Sequence, residues 1–96
     1  MIKQIYIIRN NVACINYPEL FMFNTDAQAC QNFVHFVKSA TEKTGEKDIH
    51  FDLYRLGILH PDNILEGHDE PIRVARGIRE AEACVAAAET DLEVKE

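Results

Sequence analysis

Three histidines and three aspartates lie close together in the middle of the chain: His50, Asp52, His60, Asp62, His68 and Asp69. Imidazole and carboxylate are ligands for zinc. Their spacing matches no compact ligand motif, and three histidines spread over nineteen residues need not converge. Nucleophilic catalysis requires a hydroxyl or thiol beside a base. The only serine, Ser39, falls in a helical pattern. Cys14 and Cys30 occupy apolar periodic positions, where a thiol packs as a small hydrophobe, and Cys84 is flanked by alanines. The four glycines, at 45, 57, 67 and 77, are too scattered for a phosphate-cradling loop. The expectation is a protein with no catalytic residues, no metal and no cofactor.

The basic residues carry more. Arg73, Arg76 and Arg79 recur at every third position, a spacing that sets them close to one helical face. Lys3, Tyr6 and Arg9 share one predicted strand, and Tyr54 and Arg55 share another. Aromatic rings beside cations on a sheet hold single-stranded nucleic acid, by stacking bases and tracking the backbone. Those eight residues form the candidate nucleic-acid-binding set. Set beside Glu80 and Glu82, the three arginines also read as a solvated, salt-bridged face. The net charge of −6 sets a limit, because domains that wrap duplex DNA are usually basic. Any nucleic-acid role therefore rests on a local patch. A protein-binding adaptor or regulator without nucleic-acid affinity fits the same charge.

The elements that must position these residues follow from periodicity. IKQIYIIR (2–9) has strand composition and ends at Asn10-Asn11, a pair suited to a tight hairpin into VACINY (12–17). Pro18 interrupts pairing, and ELFMF (19–23) resumes with its phenylalanines turned inward. Thr25-Asp26-Ala27-Gln28 fits a capping box opening a helix over 26–43, with Cys30, Phe33, Val34, Val37 and Ala40 on one stripe. IHFDLYRLGIL (49–59) is apolar on both faces, as a central strand is, and Gly57 marks a bulge or a close backbone approach. His60-Pro61-Asp62-Asn63 turns the chain into a short strand, 63–67, and 68–71 is a loop. Ala, Glu and Arg then predict a helix at about 78–90 with frayed last residues, on a stripe through Ile72, Ala75, Ile78, Glu82 and Val85. The order is ββαββα: an α+β fold with a small antiparallel sheet packed against one main helix, plus a C-terminal helix.

A chain of 96 residues makes one small domain that buries only about 60% of its unfolded surface. We divide it into a 1–79 core and an 80–96 Ala/Glu-rich extension, whose acidic residues solubilise it or fold over a basic face. A homodimer, through a sheet edge or the C-terminal helix, is expected to cover leftover apolar surface. Three unpaired cysteines, without a CxxC pair, suit a reducing compartment. The start, MIKQIYIIRNN, reads as a strand rather than a signal peptide, and no apolar run reaches the roughly 18 residues of a membrane span.

Several of these segments carry a resemblance. Tyr17-Pro18-Glu19-Leu20-Phe21-Met22-Phe23 sets a proline before a phenylalanine cluster. A capped helix with alanine and then phenylalanine follows, Asn24 through Phe33. Phe51-Asp52-Leu53-Tyr54-Arg55-Leu56-Gly57 is an acidic-aromatic-Leu-Gly strand. Over about residues 1–79 the chain resembles the small non-structural protein of the fifth open reading frame of gokushoviruses, single-stranded-DNA phages of the Microviridae. Where that family commonly has an acidic turn with Thr-Gly, this chain has His60-Pro61-Asp62-Asn63, and its tail 80–96 runs past the usual end. The resemblance implies a non-virion protein of the infected host's cytoplasm. It would act in single-stranded genome synthesis or packaging by binding single-stranded DNA or the replication complex. It brings no catalytic residues to carry over.

Overall fold

The computed structural model describes residues 2–94, with side chains described through residue 88. The elements are β1 (Lys3–Asn10), β2 (Ile15–Phe23), α1 (Asp26–Thr44), β3 (Phe51–Leu59), β4 (Leu65–Arg76) and α2 (Gly77–Val94), with a 3-10 turn at Asp48–His50 before β3. The strands form one antiparallel sheet in the order β2-β1-β3-β4. The expected ββαββα order and α+β class are those of the structure. Both helices lie on one face of the sheet. On that face Tyr6, Ile8, Phe51, Leu53 and Ala75 meet Ala29, Cys30, Phe33, Val34 and Val37 of α1 and Ala81 of α2. The molecule is only 19 Å along its shortest axis, the depth of one sheet and one helix layer.

Helix α1 forms where the capping signal put it. Thr25 Oγ1 accepts from the Gln28 N–H at 3.2 Å, and Gly45, at φ 75°, closes the helix in the left-handed conformation. The return arm of the box reaches one residue further than expected: Gln28 Oε1 accepts from the Asn24 N–H at 3.1 Å. The expected stripe is buried or half-buried along its whole length, with Ala29 added.

Three boundaries differ from expectation, each for a local reason. Asn10 stays in β1, and its Oδ1 accepts from the N–H groups of Val12 and Ala13 at 3.0 and 2.9 Å. That side-chain turn spreads the reversal over residues 11–14, so Val12, Ala13 and Cys14 are not strand. Cys14 is exposed at φ 59°, not packed as a core thiol. Regular pairing breaks at Pro18 as expected, between Asn16 opposite Arg9 and Leu20 opposite Ile7, but β2 runs on through it as one edge strand. An edge bulge is where a residue without an N–H is tolerated.

The third difference bears on the site. β4 continues to Arg76, so Ile72–Arg76 is strand rather than the approach to a helix. Gly57 pairs with Gly67 and Arg55 with Ile72, which leaves the expected loop, His68–Pro71, as a wide bulge opposite Leu56. Pairing with β3 and the β-branched Ile72 and Val74 outweigh the helix propensity of the arginines. α2 then starts at Gly77, φ 74°, where Asp48 Oδ2 accepts from the Ile78 N–H at 2.8 Å. The boundary drawn between 79 and 80 thus falls inside α2, and its buried position is Ala81 rather than Glu82, with Ile78, Cys84 and Val85 beside it. The side chains of Glu89, Asp91 and Glu93, and all of Glu96, lie outside the described residues; so do the expected fraying and the role of the acidic tail.

Candidate nucleic-acid interface

Successive strand residues point to opposite faces, so the eight candidates divide. On β1, Lys3, Ile5, Ile7 and Arg9 fall on one face and Tyr6 and Ile8 on the other, as their alternating burial records. The register carries the first set across the sheet. One row runs Asn16, Arg9, Asp52, Arg76, and the next runs Leu20, Ile7, Tyr54, Arg73. This is the face without helices. Five of the eight candidates, Lys3, Arg9, Tyr54, Arg73 and Arg76, are on it. Lys3 stands at the far end of β1, about 20 Å from Arg9 at strand rise.

Arg9, Arg73 and Arg76 differ in freedom. Arg9 donates to Asn16 Oδ1 at 3.0 Å and to the Cys14 carbonyl at 3.1 Å, which fixes its head over the β1–β2 turn. Arg76 clamps Asp52 with two bonds, at 2.8 and 3.1 Å. Asp52, by hydrogen bond and by charge, raises the pKa of that guanidinium above its ordinary value. The Asp52 side chain has no exposed surface, so Arg76 is the partner that lets a carboxylate sit in the sheet. Arg73 is exposed and makes no ion pair among the described residues. Arg79 is exposed in the first turn of α2, three residues beyond Arg76. The three arginines therefore do not share a helical face; they mark the corner where β4 passes into α2.

Tyr6 and Arg55 leave the candidate set. Tyr6 is 0% exposed, on the helix face. Its hydroxyl donates to Asp26 Oδ1 at 2.6 Å, and Arg55 Nη1 bonds both Asp26 oxygens at 3.1 and 3.0 Å. Arg55 Nε also donates to His68 Nε2 at 3.1 Å. This network fastens the first turn of α1 to β1, β3 and the β4 bulge. Burial and the Asp26 carboxylate push the Tyr6 phenol well above its ordinary pKa, so it remains a donor. The sequence alone could have separated Tyr6 from Arg9, since residues three apart on a strand face opposite ways.

The histidines are equally dispersed: His50 is 3.9 Å from Glu46, His60 is 3.0 Å from Glu66, and His68 serves Arg55. Among the described residues, no group of three metal-ligating side chains gathers. No helix among them is long and apolar enough to cross a membrane.

The open face also holds a groove of ≈ 350 Å³. Ile7, Tyr54 and Leu56 line it from the central strands, Arg9 and Asn16 from the β1–β2 side, and Glu70 and Pro71 from the β4 bulge. Asn16, Glu70 and Pro71 were not singled out from the sequence. Only the bulge brings Glu70 and Pro71 to this face. Toward β2 the apolar floor continues through Leu20 and Met22, 59% and 53% exposed. The face can thus do two things chemically: stack and bury flat apolar groups, and pair anions at its Arg9 and Arg73 end. No protein-family model matches the chain, and no curated protein or solved structure is significantly similar to it.

Proposed function

We propose that this chain is a non-enzymatic accessory protein of single-stranded-DNA phage multiplication in the host cytoplasm, binding single-stranded DNA, or the replication complex built on it, through the open face of its sheet. One observation carries the reading: Tyr54 lies beside Arg73 in one row of the face and Arg9 and Arg76 in the next. A ring for stacking flanked by guanidinium groups is a platform for an unpaired strand. Several polar groups outside that patch, Tyr6, Asp26, Arg55 and His68, are tied into one structural network, which favours a binding role.

Fluorescence anisotropy with a labelled single-stranded oligonucleotide at low salt tests it. Tyr54→Ala with Arg73→Ala and Arg79→Ala should weaken binding at least tenfold, at about 1–3 kcal/mol for the stacked base alone. Arg76 is left in place because it covers Asp52. Affinity unchanged by the triple variant removes the proposal.

A second reading is a protein-binding adaptor without nucleic-acid affinity, favoured by the exposed Leu20 and Met22 and by the net charge of −6. Capture of a partner from nuclease-treated lysate, lost on Leu20→Asp, separates it from the first. Self-association belongs to either reading. Each edge strand carries a proline, Pro18 in β2 and Pro71 in β4. Prolines blunt edge pairing, so the C-terminal helix is the better of the two expected routes.

A further inference from the structure

The groove on the open face is bordered by more than cations. Arg9 is held by Asn16 Oδ1 and the Cys14 carbonyl, at 3.0 and 3.1 Å, so its head is fixed before any ligand arrives. That bond uses the Asn16 oxygen; the amide N–H groups make no hydrogen bond among the described residues. On the β4 side, the Glu70 carboxylate makes no hydrogen bond or ion pair among them either. Between these ends lie the Tyr54 ring, the Pro71 ring and the apolar side chains of Ile7 and Leu56. At ≈ 350 Å³ the groove stands at the small end of ligand pockets, room for one flat ring system.

Resting on the reading of this face as a surface for single-stranded DNA, we propose that the groove takes one unpaired base and that Glu70 selects bases with an exocyclic amino group, cytosine over uracil or thymine. A carboxylate can only accept hydrogen bonds. The 4-amino group of cytosine donates to it, whereas the 4-oxo group of uracil or thymine presents lone pairs to an anion. The base lies on the Ile7–Leu56 floor against Tyr54. The Asn16 amide donates to a ring acceptor or carbonyl, and Arg9 meets the phosphate. The carboxylate on the β4 side and the guanidinium on the β1 side thus divide one nucleotide between them, base toward Glu70 and backbone toward Arg9.

The test is anisotropy with oligodeoxycytidine and oligodeoxyuridine of equal length, which differ in the 4-substituent and the N3 proton beside it, on wild type and Glu70→Gln. Wild type should bind the cytosine strand about tenfold more tightly, the scale of one good base-edge contact. Glu70→Gln, whose amide both donates and accepts, should bring the two strands to near equality with an unchanged circular dichroism spectrum. Equal affinities in wild type, a preference for uracil, or a cytosine preference that persists in Glu70→Gln overturns the base-selecting groove and leaves the single-strand reading standing. No binding of either strand at low salt removes both.

Discussion

At the scale of single residues, one network of polar side chains ties the helix layer to the sheet. Tyr6 is the clearest case. Its hydroxyl is buried against Asp26, which Arg55 grips from the other side. Tyr6→Phe removes one hydrogen bond to a charged group while Asp26 keeps Arg55. The variant should lose about 1–2 kcal/mol in urea denaturation at neutral pH. The pH dependence has a definite sign. The Tyr6 phenol is raised in the folded state, chiefly by burial and then by Asp26, so the unfolded chain releases its proton first, above about pH 10. The stability that Tyr6 confers is present below that pH and is lost as pH rises beyond it. The gap between wild type and Tyr6→Phe should therefore narrow above about pH 10; a constant gap would rule out this account. Cys30, raised by burial and then by the adjoining Cys84 thiol, adds a loss of the same sign from about pH 9 in both proteins.

At the scale of elements, the β3–β4 pairing decides where the candidate side chains go. Gly57 and Gly67 face each other across it, and a Cβ on Gly57 would run into the Glu66 carbonyl oxygen. The same atom added to Gly67 meets open space. Gly57→Ala should cost about 1–3 kcal/mol or more, whereas Gly67→Ala should be close to neutral, both read from denaturation midpoints. Gly57 was legible as a close-approach position because a glycine inside a strand has few other uses. The bulge it adjoins was legible only as a loop, since residues 68–71 carry turn chemistry whether or not a strand resumes after them. Arg73 and Arg76 were misplaced on a helix for a related reason. A three-residue spacing with good helix formers looks the same until a neighbouring strand claims the segment.

At the scale of the whole molecule, one sheet face is covered and the other is bare. Against a net charge of −6, the bare face carries a local excess of arginine at one end only. On the reading proposed above, a flexible single strand fits this one-ended patch better than a duplex, because the chain as a whole is acidic. Two available cations of the face, Arg9 and Arg73, with Arg79 at the corner where α2 begins, give an expected slope of log affinity against log salt of roughly −2 for a single strand, at about 0.7 per phosphate neutralised. Titrations at several salt concentrations measure it. A slope near zero would remove the phosphate contacts from the interface, and tighter binding of duplex than of single strand would contradict the flat-face reading.

By itself the sequence determined the order of the six elements, the cap of α1 and its buried stripe. All of these follow from neighbours a few residues apart, through backbone propensity and the 2.0 and 3.6 periodicities. Only the tertiary structure decided which candidates share a surface. It buried Tyr6, tied Arg55 to Asp26, spent Arg76 on Asp52, brought Glu70 and Pro71 round to Tyr54, and left one face of the sheet without a helix. Those outcomes depend on strand order, register and the wide β4 bulge, which are set by contacts between residues far apart in the chain.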